Sequence, residues 1–120
     1  MLQVIFNEIS AAEISQLSTT DQLDLLAEFK VTPQDLESPD NERFGAMERE
    51  GKTLYRYRSP EYRIYFEVTE EGVLVHRVLH KNTLEDFLFR TKLDSGEDAA
   101  LAESKQFWEL IEEGEKARRV

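Results

Sequence analysis

The sequence predicts an α+β domain: an N-terminal strand and helices packed on one face of a four-stranded antiparallel meander, with an extra acidic helix at the C-terminal end. Three observations predict it. Four strand-length runs rich in aromatic and β-branched residues follow one another between Phe44 and Leu79. Only one to three residues separate each run from the next, too few for a parallel return, which needs a dozen or more. Helix-start signals flank this block on both sides. At 120 residues the chain fills one core of ordinary size, which buries roughly 65% of its extended surface.

In chain order, Leu2, Val4 and Phe6 alternate with Gln3 and Ile5, so residues 2–6 read as a first strand. Ser10-Ala-Ala-Glu13 has the spacing of a capping box and predicts a short helix after it, with Ile9, Ile14 and Leu17 inward. Ser18-Thr-Thr-Asp21 starts a second helix, whose inward stripe is Leu23, Leu26, Ala27 and Phe29. Thr32 before Pro33 caps a single turn over 33–37, where proline's missing N–H costs nothing. Residues 38–41 are a loop.

The strands are Phe44–Glu50, Lys52–Arg58, Tyr62–Thr69 and Val73–Leu79, and their turns contain Gly51, Pro60 and Gly72. Period-two alternation puts Tyr62, Ile64, Phe66 and Val68 on a core face, with Arg63, Tyr65 and Glu67 opposite. On the preceding strand Arg56 and Arg58 share one face, and Tyr55 and Tyr57 the other. No face is wholly apolar, which leaves part of the sheet for solvent or a partner. Asn82-Thr-Leu-Glu85 opens a short helix carrying Leu84, Phe87 and Leu88; Asp94-Ser-Gly-Glu97 breaks it. A last helix from Asp98 to Glu115 carries Leu101, Phe107, Trp108 and Ile111 on one stripe.

Composition narrows the chemistry. Without cysteine there is no thiol nucleophile, thiolate zinc site or disulfide, which fits a reducing cytoplasm. No run is long and apolar enough for a membrane span. The net charge of −10 disfavours a polyanion partner overall, but its sign is segregated: residues 1–42 carry −8, residues 43–92 carry +2 and residues 93–120 carry −4. A basic middle between acidic flanks has two readings, solvated helix faces beside a sheet or a basic site masked by the protein's own helices. His76 and His80, four apart on one strand, are about 13 Å from each other, too far to share a metal ion. No metal and no cofactor enter this reading.

The cluster above background runs from Tyr55 through Arg56, Tyr57, Arg58, Tyr62, Arg63 and Tyr65 to His80 and Lys81. Guanidinium groups gathered beside tyrosines hold phosphates and stack bases; alternatively the arginines pair with Glu48, Glu61 and Glu67. The stretch from Gly45 to Phe87 resembles the RelE/ParE superfamily of toxins from bacterial toxin–antitoxin pairs. Arg56-Tyr-Arg58, the turn, Tyr62-Arg63-Ile-Tyr-Phe66, the hairpin to Val73–Leu79 and the strand-end Lys81 carry the resemblance, which spans about residues 2–92.

The resemblance implies a toxin domain over 1–93 with a helical extension over 94–120. It also implies a cytoplasmic, toxin-like translational repressor acting as a ribosome-dependent, metal-independent mRNA endoribonuclease. Cleavage through the RNA's own 2′-OH needs a proton acceptor, a proton donor and cations around the phosphorane. On this reading Arg63, Lys81 and His80 are catalytic, with Glu48 the alternative to His80 as proton carrier, and Arg56, Arg58, Tyr57 and Tyr65 bind RNA phosphate and bases. Leu54 stands where the nucleases carry a further lysine and Phe87 where they carry a tyrosine, and the acidic total is a further departure. The alternative is a catalytically degenerate protein-binding module or a gyrase-type poison. Implied partners are an antitoxin protein, the ribosome with its mRNA, or a second copy bound through the C-terminal helix. That acidic helix folds over the basic face, makes the self-association, or simply completes the core with Trp108.

Overall fold

The structure, a computed structural model, describes residues 3–37, 43–84 and 97–120. Its elements are β1 (Val4–Phe6), α1 (Glu8–Ser15), α2 (Thr19–Glu28), α3 (Pro33–Glu37), β2 (Phe44–Arg49), β3 (Lys52–Arg58), β4 (Tyr62–Thr69), β5 (Gly72–His80), α4 (helical over 81–84), α5 (Glu97–Ala102) and α6 (Lys105–Lys116). The expected loop over 38–41 and the stretch containing Phe87, Leu88 and Asp94 lie mostly or wholly outside the described residues. None of the described helices is long and apolar enough to cross a membrane.

The fold is α+β, but its sheet differs from the expectation. It is five-stranded and mixed, in the order β1-β5-β4-β3-β2. Strands β2 to β5 pair antiparallel with their sequence neighbours, and β1 adds to the free edge of β5 in parallel, Val4 opposite Val73. Backbone hydrogen bonding explains the extra strand: a buried segment must pair its N–H and C=O groups, and β5 offers an open edge. The β2–β3 turn places both Glu50 (φ 53°) and Gly51 (φ 81°) in the left-handed region, the conformation of the two-residue hairpin turn that matches strand twist. At Gly72 the backbone of β1 comes close, and a Cβ there would lie 2.4 Å from the Gln3 carbonyl oxygen.

Helices cover both faces of the sheet, not one. Against the first face α1–α3 place Ile14, Leu25, Phe29 and Val31 on Phe44, Tyr57, Ile64, Phe66, Val73, Val75 and Val78. Against the second, α4–α6 place Leu84, Leu101, Phe107, Trp108 and Ile111 on Met47, Leu54, Tyr65 and Leu79. The second face is half apolar and half cationic along each strand, which hides its apolar content from a strand-by-strand reading. Helices α5 and α6 therefore supply four of the nine buried residues of this core among the described residues.

Two helix starts shift. Asn7, not Ser10, caps α1: its side chain accepts from the Ser10 N–H at 2.7 Å, and the Ser10 hydroxyl accepts from the Asn7 N–H at 3.0 Å. The expected single C-terminal helix is two, because the Ser104 hydroxyl accepts from the Phe107 N–H and caps α6 afresh. Ser18 caps α2 as its spacing predicts. The stripe along α2 is rotated, however: Leu25 and Phe29 are buried, while Leu23 is 65% and Leu26 43% exposed.

Past Phe6 the edge of β5 would be bare, and α1 covers it. Asn7, Ser10 and Glu13, three apart on one helix face, meet the edge in turn. The Asn7 Nδ2 donates to the carbonyls of Val75 (3.1 Å), His76 (3.2 Å) and Gly114 (2.8 Å). The Ser10 hydroxyl donates to Val75 O at 3.1 Å, and Glu13 Oε1 accepts from the Val78 N–H at 2.9 Å. A β-bulge at Tyr65/Phe66 gives β5 one extra residue, His76, within this stretch.

Replacing Asn7 by alanine removes a helix cap worth about 1 kcal/mol and takes a donor from three buried carbonyls, of which Val75 O keeps the Ser10 hydroxyl and Gly114 O the Ala117 N–H, at about 1 kcal/mol for one left without its bond. We expect Asn7→Ala to lower stability by about 2–3 kcal/mol in denaturant titration, and Asn7→Asp, which keeps the cap acceptor but turns a carboxylate oxygen toward the carbonyls of Val75, His76 and Gly114, to cost at least as much.

Candidate functional site

Three of the sequence-predicted cations do come together. Arg56 and Arg58 project from β3 and Arg63 from β4 onto the second face of the sheet, with Arg58 directly opposite Arg63 and Arg56 opposite Tyr65. Like charges in directly opposed positions repel, so this pairing needs a counter-charge. Helix α5 supplies it. Glu97 Oε2 lies 2.5 Å from Arg58 Nη2 and 3.3 Å from Arg63 Nε, one carboxylate bridging both. Asp98 takes Arg56 in a fork, with Nε 3.1 and 3.3 Å from its two oxygens and Nη2 2.8 Å from Oδ2. Arg56 is left 3% exposed. Arg63 spends its Nη1 on the carbonyls of Ser59 (2.9 Å) and Tyr62 (3.1 Å).

Gly45 makes room for this arrangement. It lies opposite Arg56 on β2, and a Cβ there would sit 2.2 Å from Arg56 Nη2 and 2.3 Å from Asp98 Oδ2. The carboxylates and this glycine escaped the sequence reading. Only the charge complement between an acidic tail and a basic middle pointed to them. Of the arrangements expected for the tail two are seen together: α5 folds over the basic face, and α6 completes a core with Trp108.

Tyr65 lies at the centre of the cluster, fully buried, and its hydroxyl has no hydrogen-bond partner among the described residues. Burial pushes its phenol well above the ordinary 10.0; Glu97 and Asp98 push the same way, and Arg56 and Arg63 oppose them. Arg58 Nε is likewise buried without a partner among the described residues. Two hydrogen-bond donors in one charged cluster are thus left over.

The remaining predicted residues lie elsewhere. Tyr57 faces the first core, its ring 5.1 Å from that of Phe29 and its hydroxyl donating to Glu28 O at 3.3 Å. His80 alternates to the same side as Tyr62, packs edge-on against its ring at 5.1 Å and lies 3.6 Å from a Glu61 oxygen. Its Nδ1 accepts from the Asn82 N–H at 3.1 Å, so the neutral ring carries its proton on Nε2. Lys81 begins α4 half-buried, its N–H donating to Glu61 O at 2.8 Å, and Glu48 is exposed on β2. Strand parity keeps His80 and Tyr57 off the guanidinium face.

A further cation was not singled out by the sequence. Arg77 on β5 reaches Glu13 of α1 (Nη2–Oε2 2.8 Å), and its Nη1 reaches both Leu110 O (3.1 Å) and Glu113 (3.3 Å) of α6. It ties helices from the two layers to one strand.

No protein-family model, curated protein or solved structure matches the chain. The site's chemistry therefore has to be judged on its own geometry. A row of guanidinium groups on two adjacent strands suits an anion with several oxygens, and carboxylates from the same chain hold that place.

An unpartnered buried hydroxyl costs about 1–3 kcal/mol, so Tyr65→Phe should be neutral or stabilise by about 1 kcal/mol. Because the folded protein holds this phenol neutral above its ordinary range, the unfolded chain releases the proton first. Tyr65's contribution is intact below pH 10 and lost as pH rises beyond it. In chemical denaturation between pH 8 and 11.5, Tyr65→Phe should flatten the alkaline fall; the residual slope would come from Tyr62, which burial, Asp21 and Glu61 also shift upward.

Proposed function

We propose that this chain is a toxin-like protein of the RelE/ParE type whose cationic strand face is kept closed by its own helix α5, so that in this form it acts as a protein-binding component of a toxin–antitoxin system and not as a working endoribonuclease. The resemblance over Gly45–Phe87 supports the family, as does the order of one strand, helices and successive hairpins. The observation that carries the closed state is that Arg56, Arg58 and Arg63 are each engaged by Glu97 or Asp98. A messenger phosphate would have to displace two carboxylates from a partly buried pairing, and uncovering one partner of a buried ion pair costs about 3–5 kcal/mol. His80, the proton carrier that the resemblance implies for 2′-OH attack, stands on the other face.

One observation favours a second reading, in which displacement of α5 opens an endoribonuclease. Arg58 Nε and the Tyr65 hydroxyl are donors without acceptors inside the cluster, and a phosphate would satisfy both.

Induced expression in a bacterial host separates these readings. The closed face predicts normal growth with the native chain. Growth arrest with cleaved mRNA from the native chain would overturn the proposal, and so would arrest with a DNA-damage response, which belongs to a gyrase poison. Glu97→Gln combined with Asp98→Asn keeps the shape and removes the charge. If that double variant arrests growth, and adding Arg63→Ala abolishes the arrest, the second reading holds.

A further inference from the structure

Away from the arginine cluster, α6 ends against the bulge in β5. Gly114 there lacks a side chain because there is no room for one: a Cβ would lie 2.3 Å from the His76 carbonyl oxygen. The Asn7 Nδ2 binds the carbonyls of both His76 and Gly114, which holds the last turn of α6 against β5 at that level. The next residue, Glu115, extends its carboxylate beside the His76 ring. From β4, Glu67 Oε2 lies 3.2 Å from His76 Nε2. One nitrogen and two carboxylate oxygens, one from each residue, lie within 4.8 Å of one another.

We propose that Glu67, His76 and Glu115 form a divalent transition-metal site, of zinc type, which clamps the end of α6 to β4 and β5. The donor set suits such an ion. A neutral imidazole with two carboxylates brings a charge of −2, and imidazole selects zinc-like ions over magnesium or calcium. Bonds of about 2.0–2.2 Å hold donors up to about 4 Å apart, so the site closes with a shift of roughly 1 Å. Glu115 can supply that shift because it is exposed, whereas His76 is buried and its backbone is fixed by Asn7. Without the ion, the Glu67–His76 hydrogen bond occupies part of the same space.

Three protein ligands leave a fourth position for water, and space flanks the group on two sides. A cavity of about 70 Å³ is bounded by Glu67 and Glu115, and one of about 60 Å³ by His76 and Glu115. Each is large enough for water. The cations bordering them are largely committed: Arg49 pairs with Glu112 and stacks on Trp108, and Arg119 pairs with Glu71. Lys52 also lines the first cavity.

The test is calorimetric titration of the chelator-stripped full chain with zinc chloride, alongside its thermal melt. We expect one ion per chain and a melting temperature that rises with zinc concentration. Loss of a direct ligand should weaken binding at least as much as loss of an outer partner, by about 10-fold or more. Glu115→Gln and Glu67→Gln should each do so, and Glu61→Gln, which disturbs the other histidine–carboxylate pair, should not. Glu115 is exposed, so its variant keeps the metal-free fold and is decisive even if the Glu67 variant folds poorly. Absence of binding at 100-fold excess zinc would overturn the proposal, as would unchanged affinity in Glu115→Gln or affinity lost in Glu61→Gln.

Discussion

Much of this fold follows from a strand that is too short. β1 pairs with β5 over three residues and stops, although β5 continues to His80 with its backbone groups facing outward. Buried peptide groups cannot be left unpaired, so the remaining edge has to be met by something other than a strand. Helix α1 meets it with Asn7, Ser10 and Glu13, whose three-residue spacing follows one helical face as β5 advances from Val75 to Val78. The same side chains then reach further. Asn7 also holds the end of α6, and Glu13 orients Arg77, which grips α6 from the sheet. A helix that closes an edge thereby also fixes the layer on the far side of the sheet.

The charged cluster beneath α5 answers to a different balance. Removing guanidinium and carboxylate groups from water is expensive, and their attraction compensates only when the geometry is good and the remaining donors are used. The Arg56–Asp98 fork meets that standard, and Gly45 gives up a side chain to allow it. The Glu97 bridge meets it only in part, because Arg58 Nε and the Tyr65 hydroxyl find no acceptor. A network that holds α5 in one place while leaving donors unmatched favours a particular arrangement more than it favours stability.

Short-range rules carried much of the sequence reading. The four long strands, their parity and the Ser18, Thr32 and Gly51 signals depend on residues within a few positions of one another, and these agree with the structure. The errors came where two local answers were equally good or where the answer lay far off. Ser10 and Glu13 fit a capping box, yet Asn7 three residues earlier caps better because its amide also serves β5 and α6. On α2, Leu23 and Leu26 fit the helical period as well as Leu25 does, and only the tilt of the helix on the sheet decides between them. The second apolar face was hidden because Leu54, Tyr65 and Leu79 are interleaved with arginines. The carboxylates that meet those arginines lie 34 to 42 positions along the chain, beyond any local pattern.

The parallel pairing at the sheet edge also sets an order of events during folding. Asn7 and His76 are separated by 69 positions, and β1 cannot bond to β5 until that span of chain has closed on itself. The hairpins joining β2 to β5 close through turns of two or three residues and suffer little such delay. The meander therefore assembles first, and the N-terminal segment arrives late. Until it does, the newly formed β5 carries an unprotected rim able to capture a neighbouring chain, so the interval before docking is when this protein is most exposed to aggregation.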